Sequence, residues 1–262
     1  DRTDYEPEQA NQDLQIQDGD IEFKHVSFSY DGKRDVLRDI SFSVKKGQTI
    51  AFVGSTGSGK SSIINLFLRF YEFERGQILI DGRDIKDYSQ AELRRKIGLV
   101  LQDPFLYHGT VASNIKLYQE QLTREEIIEA AKFVDAHGFI SQLPQGYDAP
   151  VTERGATFSS GQRQLLAFAR TIATKPKILI LDEATANIDS ETEELIQVSL
   201  RKMRRGRGNT VISPPPSTIQ DADCIYVLDK GRIIESGRHE ELLAQDCTYK
   251  KMYQLQAGMM GS

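Results

Sequence analysis

The chain has 262 residues, 39% hydrophobic and 27% charged, with a formal net charge of −5. That is enough apolar material for one large domain or two coupled subdomains, and the mild acidity argues against a nucleic-acid partner. No run approaches the ~18 apolar residues of a membrane span and no signal peptide is visible; Cys224 and Cys247 match no metal spacing and point to a reducing compartment.

In chain order, residues 1–20 hold seven acids and one base, Arg2, with few apolar residues, which predicts a solvated linker. The first residue is Asp1 rather than Met, so the chain is expected to be part of a longer one. From Ile21 the pattern turns to strand. Ile21 and Phe23 alternate, then Val26, Phe28 and Tyr30 after a phase shift that predicts a bulge. Ile40, Phe42 and Val44 alternate likewise, and both segments read as half-buried antiparallel strands. The apolar run Thr49–Val53 then feeds Gly54-Ser55-Thr56-Gly57-Ser58-Gly59-Lys60-Ser61, which fits the phosphate-binding pattern G-x-x-x-x-G-K-[ST] in its strand-to-helix setting. Glycines let backbone N–H groups curl around phosphate oxygens, and the following helix turns its positive end to the same anion. Lys60 is expected to reach the β- and γ-phosphates of a bound nucleotide and Ser61 to ligate Mg²⁺, with Ser62 next in the same stretch.

A helix is expected over Ser62–Phe70, and Gly76 is expected to close a turn into the strand Gln77–Ile80. Ser89-x-x-Glu92, Thr123-x-x-Glu126, Ser159-x-x-Gln162 and Ser190-x-x-Glu193 each read as a capping box. Ile97–Leu101 is an apolar strand delivering Gln102. Ile178–Leu181 is fully apolar, as in a buried parallel sheet, and ends in Asp182 and Glu183. Asp182 suits the hydration shell of Mg²⁺, and Glu183 could orient and deprotonate an attacking water. Val211-Ile212 and Cys224–Leu228 supply further strands. Asp229-Lys230-Gly231 turns into Arg232–Ile234, and a short helix is expected at His239–Ala244. The basic run Arg201–Arg207 suits a helix end. The sum predicts an α/β P-loop NTPase core, mostly parallel, with an antiparallel β subdomain and a helical subdomain at about 103–170. Residues 258–262 read as a tail left by cloning.

These motifs resemble the nucleotide-binding domain of an ABC transporter, exporter type, from about Ile21 to Leu255, within an expected domain of residues 21–257. Phe158-Ser159-Ser160-Gly161-Gln162 resembles the signature motif, usually Leu-Ser-Gly-Gly-Gln, which in the family closes on ATP held by a partner. The resemblance implies several further roles. Tyr30 would stack on adenine, and Gln102 would touch Mg²⁺ and the water while sensing the membrane domain. Glu153 would lie in the loop that meets coupling helices, and Asp189 in the D-loop crossing the dimer interface. It implies ATP and Mg²⁺ as cofactors and catalysis by Glu183 with Lys60 and Gln102. It implies a second nucleotide-binding domain and the transmembrane domain of the same full-length chain as partners. The place of work would be the cytoplasmic face of the membrane, the fragment itself being soluble. Chromosome-maintenance ATPases of similar motif content split P-loop and signature by a long coiled coil, whereas Lys60 and Ser159 are only 99 residues apart.

Two departures stand out. Ser160 and Phe158 replace the usual Gly and Leu of the signature while Glu183 is kept, which is similar to the catalytic-Glu subunit of bacterial heterodimeric multidrug exporters. After Thr210–Ser213 the family has His-Arg-Leu, and this chain has Pro214-Pro215-Pro216. The missing histidine is the family's γ-phosphate contact. Three prolines predict an extended segment without N–H donors, and slow or absent turnover. The alternative is an ATP-binding clamp or dimerisation module that hydrolyses little.

Overall fold

The computed structural model of the chain describes residues 13–55, 59–101, 103–152, 157–182, 190–214 and 216–260. The elements, in chain order, are β1 (Ile21–Phe28), β2 (Leu37–Val44), β3 (Thr49–Gly54), α1 (Lys60–Phe67), β4 (Arg75–Ile80), β5 (Arg83–Asp84), α2 (Gln90–Lys96), β6 (Ile97–Val100), β7 (Gly109–Thr110) and α3 (Val111–Lys116). There follow α4 (Arg124–Phe133), α5 (His137–Gln142), β8 (Pro150–Val151), α6 (Ser160–Ala173), β9 (Ile178–Asp182), α7 (Ser190–Arg204), β10 (Gly208–Ile212), α8 (Pro216–Asp221), β11 (Cys224–Asp229), β12 (Arg232–Gly237), α9 (His239–Ala244) and α10 (Thr248–Met260). Among the described residues no helix is long and apolar enough to cross a membrane.

The central sheet runs β12-β11-β3-β10-β9-β6. Its β11, β3, β10, β9 and β6 are parallel, and β12 returns antiparallel through the Lys230-Gly231 turn, where both residues have positive φ. Successive side chains of a strand point to opposite faces, and here each face is buried against a different layer. Ile178 and Ile180 of β9 join a core with Phe23, Phe42 and Phe67 under the antiparallel sheet. Leu179 and Leu181 join a second core with Leu165, Phe168, Ile127 and Leu200 of the helices. On β3, Ile50 and Phe52 enter the first core, while Ala51 and Val53 pack with Ile225, Leu242 and Tyr249. This two-sided burial explains the continuous apolar runs. The fold is mixed α/β, mostly parallel, with an antiparallel sheet ordered β2-β1-β4-β5 and packed helices, as expected.

The phase shift in β1 is a register shift between Phe23 and Val26, with His25 at φ +48°. It also decides Gly76. Rather than closing a turn ahead of the strand, Gly76 lies inside β4 opposite this irregularity, at φ +87°, where an added Cβ would overlap the His25 carbonyl. Gly76→Ala combines a left-handed backbone with a clash against main chain, so it is expected to cost about 2–3 kcal/mol in urea unfolding. A loss below 1 kcal/mol, roughly the penalty of φ alone, would show that β1 can move aside.

Some expectations change with the structure. Residues 13–20 are only partly solvated: Asp13, Gln15, Gln17 and Asp18 are exposed, whereas Ile16 is 1% exposed and the amides of Gln17, Gly19 and Asp20 donate to the Asp81 carboxylate at 2.8–2.9 Å. The proline segment does not stay extended, because Pro216 opens α8. Proline suits the first helical turn, where an N–H would lack an intrahelical acceptor. Ser190 is the first residue of α7, and the preceding Asp189 is outside the described residues. Caps at Thr123 and Ser159 are reciprocal boxes as expected. Ser89 accepts from the Glu92 amide, but the buried Glu92 carboxylate turns to Arg95 and Lys96 instead.

Candidate nucleotide site

Three neighbouring parallel strands, β3, β10 and β9, end side by side, with Phe52 opposite Ile212 and Ile212 opposite Asp182. The carboxyl ends of parallel strands are where such sheets gather ligands. From β3, Gly54 leads through the exposed Ser55 toward α1; Thr56, Gly57 and Ser58 lie outside the described residues. Gly59 caps α1 at φ +110°, and a Cβ there would come 2.9 Å from Leu37 and 3.0 Å from the Val36 carbonyl, so only glycine fits. Among the described residues no side chain caps this helix, and its first N–H groups suit an anion.

Lys60 is the first residue of α1. Its Nζ donates to the Gly54 carbonyl at 2.7 Å and to Ser213 Oγ at 2.9 Å. Ser213, just past β10, was not singled out in the sequence; its place at a strand end was the available signal. Burial lowers the Lys60 pKa, and the Asp182 charge pulls it back. Burial likewise raises the Asp182 pKa, with Lys60 opposing. Each group is therefore half desolvated and offsets the other, and both are held ready for counter-charges that a phosphate and a cation would supply. Ser61 is exposed on the same helix turn. A serine hydroxyl and a half-buried carboxylate are hard oxygen donors of the kind Mg²⁺ takes while keeping several waters, so the donor set fits that ion. Among the described residues no group of three or more His, Cys, Asp and Glu could hold a metal.

Tyr30 lies just beyond β1 with 46% of its surface exposed. Its hydroxyl is 3.0 Å from Ser62 Oγ and accepts from Asn65 Nδ2 at 2.8 Å, which ties this ring to α1. Ser62 is thus buried as Tyr30's partner. Phe28 and Tyr71 meet the ring at steep angles. The structure therefore brings Tyr30, Gly54, Ser55, Gly59, Lys60, Ser61, Ser62 and Asp182 to one end of the β-sheet layers. Gln102, Glu153, Glu183 and Asp189 lie outside the described residues.

Residues 37–186, more than half of the chain, match the family described as ABC transporter. The chain belongs to this family. It is 68% identical over 98% of its length to the ABC transporter ATP-binding protein exp8 of Streptococcus pneumoniae, covering 44% of that protein. It is 52% identical over 93% of its length to YheH of Bacillus subtilis, named as a multidrug resistance ABC transporter ATP-binding/permease protein, covering 36% of it. The solved structure of a bacterial Atm1-family ABC exporter with ATP bound superposes with a TM-score of 0.87 at 41% identity, over 97% of this chain and 44% of that one. The chain thus spans less than half the length of these relatives, and it is an ABC transporter ATP-binding domain of exporter type with the ABC ATPase fold.

The stretch Phe158–Gln162, which resembles the family's signature, sits at the start of α6. Ser159 Oγ accepts from the Gln162 amide, and Gln162 Oε1 accepts from the Ser159 amide, both at 3.1 Å. Ser159 is exposed, Ser160 half-buried and Gly161 buried. Phe158, where the family has Leu, is 8% exposed in the helical core and meets Phe139 at 6.4 Å, so this departure is a packing position.

Proposed function

We propose that the chain binds and hydrolyses ATP to drive export across a membrane, working at its cytoplasmic face. It would do so joined to the transmembrane domain of its full-length protein and paired with a second nucleotide-binding domain. The observation that carries this reading is the convergence of Gly54, Lys60, Ser213 and Asp182 on three adjacent strand ends. Lys60 and the open N-terminus of α1 take the phosphates, and Tyr30 offers its half-exposed ring to adenine. Ser61 and Asp182, with Gln102, would hold Mg²⁺, which supplies charge neutralisation at the phosphates when bound. Glu183 serves as base toward the attacking water. The capped start of α6 serves a partner's ATP, Asp189 lies at that interface, and Glu153 meets the membrane domain. The altered signature fits the catalytic-Glu member of a heterodimer, and the multidrug names of relatives suggest drugs as cargo.

A second reading, a clamp that binds ATP and turns it over slowly, is favoured by Pro214, which brings no hydrogen-bond donor to the end of β10. Mg²⁺-ATP affinity and phosphate release on this chain separate the readings. Binding without release supports the clamp, release that stops in Glu183→Gln supports the hydrolase, and no binding removes both.

Asp182 gives a two-signed test. Its folded pKa lies above the unfolded carboxylate value, so the buried charge lowers stability above that value, and the loss fades as pH falls through the folded pKa. Asp182→Asn is expected to raise the Tm of the ligand-free chain at pH 7 while abolishing the extra Tm rise that Mg²⁺ adds to ATP. An undiminished Mg²⁺ effect would take Asp182 out of the metal set.

A further inference from the structure

We propose that Ser213 is a positioning residue for Lys60, and that it sets how strongly the site prefers nucleotides with a β-phosphate. The inference rests on the nucleotide-binding reading and deepens it. An ammonium has three N–H donors. Among the described residues two are engaged, by the Gly54 carbonyl at 2.7 Å and Ser213 Oγ at 2.9 Å, and the third would serve a phosphate. The two acceptors come from different strands, β3 and β10, so together they fix the ammonium in place rather than merely restraining a long flexible stem. Charge-assisted hydrogen bonds of this length are the stronger kind, and half-desolvation of Lys60 makes them count for more.

Ser213 holds its place against local preference. Its φ is +51°, in the left-handed region, and the next residue is the buried Pro214, which further narrows the backbone choices of the residue before it. Its own amide donates to the Phe52 carbonyl at 3.1 Å, which pins the turn to β3 two residues before Gly54. A non-glycine residue kept in such a conformation, next to the phosphate lysine, is strain placed where a hydroxyl has a use.

The test compares ATP, ADP and AMP affinities of the chain with those of Ser213→Gly and Ser213→Asn. Glycine removes the hydroxyl and relaxes the positive φ, so folding is not impaired and Tm should not fall. Asparagine tolerates this φ and offers a carbonyl acceptor. Ser213→Gly is expected to weaken ATP and ADP about tenfold, as befits one charged hydrogen bond, and leave AMP unchanged. Ser213→Asn should recover part of that loss. An ATP-to-AMP preference unchanged in Ser213→Gly would overturn the proposal. So would tighter ATP binding, since Ser213 would then be competing with phosphate for Lys60. If the unaltered chain binds none of the three, the nucleotide reading itself fails, which is a distinct result.

Discussion

The triple change Pro214→His, Pro215→Arg and Pro216→Leu is expected to speed ATP hydrolysis by on the order of 10²–10³, the usual worth of one donor aimed at developing charge. The geometry places residue 214 well for this. It follows Ser213, which touches Lys60, and it leaves β10 between the ends of β3 and β9. A proline there brings neither a backbone N–H nor a polar side chain. Binding should change little, because Lys60, Ser61 and Tyr30 are untouched. Folding should also survive, since Pro216 occupies the opening of α8 and Leu is a good helix former. Steady-state phosphate release on both proteins decides the matter. Equal rates would show that position 214 is not the block and that another group already meets the γ-phosphate.

Asn114→Ala is expected to destabilise the chain by about 3 kcal/mol, at roughly 1 kcal/mol for each good hydrogen bond lost from a buried site. Asn114 is 1% exposed. Its Oδ1 accepts from the Tyr107 amide at 2.7 Å and from Arg170 Nη2 at 3.2 Å. Its Nδ2 donates to the Tyr107 and Thr110 carbonyls, both at 2.9 Å. Arg170, its pKa lowered by burial, also donates to the carbonyls of Asn114 and Phe105. The variant therefore leaves an amide, two carbonyls and a guanidinium underserved at once. For a chain of this size the shift in Tm is expected to be about 10 °C. A fall of only 1–2 °C, well under the ~2–4 °C expected per kcal/mol, would mean that water replaces the side chain. Hydrogen exchange should speed first at the Tyr107 amide.

Much of the fold was legible because it follows from periodicity. Alternation in β1 and β2, the apolar runs of β3 and β9, and the helix boundaries at Thr123, Ser159 and His239 all rest on local rules. The string from Gly54 to Ser61 stands out because phosphate chemistry demands a fixed order of residue types, and of it the structure describes the β3 end at Gly54 and the α1 start at Gly59 and Lys60. Gly76 was misplaced because its reason is the His25 carbonyl, which lies 51 residues earlier in sequence. Ser213, Asn65 and Asn114 escaped notice for the same cause: each is an ordinary polar residue made important by a partner from another element. The prolines misled because a proline run favours extension locally, while α8 had packing against α9 to gain. Phe158 looked like drift from a motif and is a core side chain.

The Asp81 carboxylate, which gathers three amides of residues 17–20, acts in mechanical terms like the strain relief on a cable. A pull on the segment before residue 17 is taken up at the turn between β4 and β5, on the antiparallel sheet. It reaches β1 and β4 as a load spread over a hydrogen-bonded ladder, and where the segment meets the central sheet, at Gly19, it does so beside Lys177, Ile178 and Gly208 at the starts of β9 and β10, the far ends from Asp182 and Ser213. A pull on that segment would thus arrive at the opposite end of the central sheet from Lys60, Ser213 and Asp182.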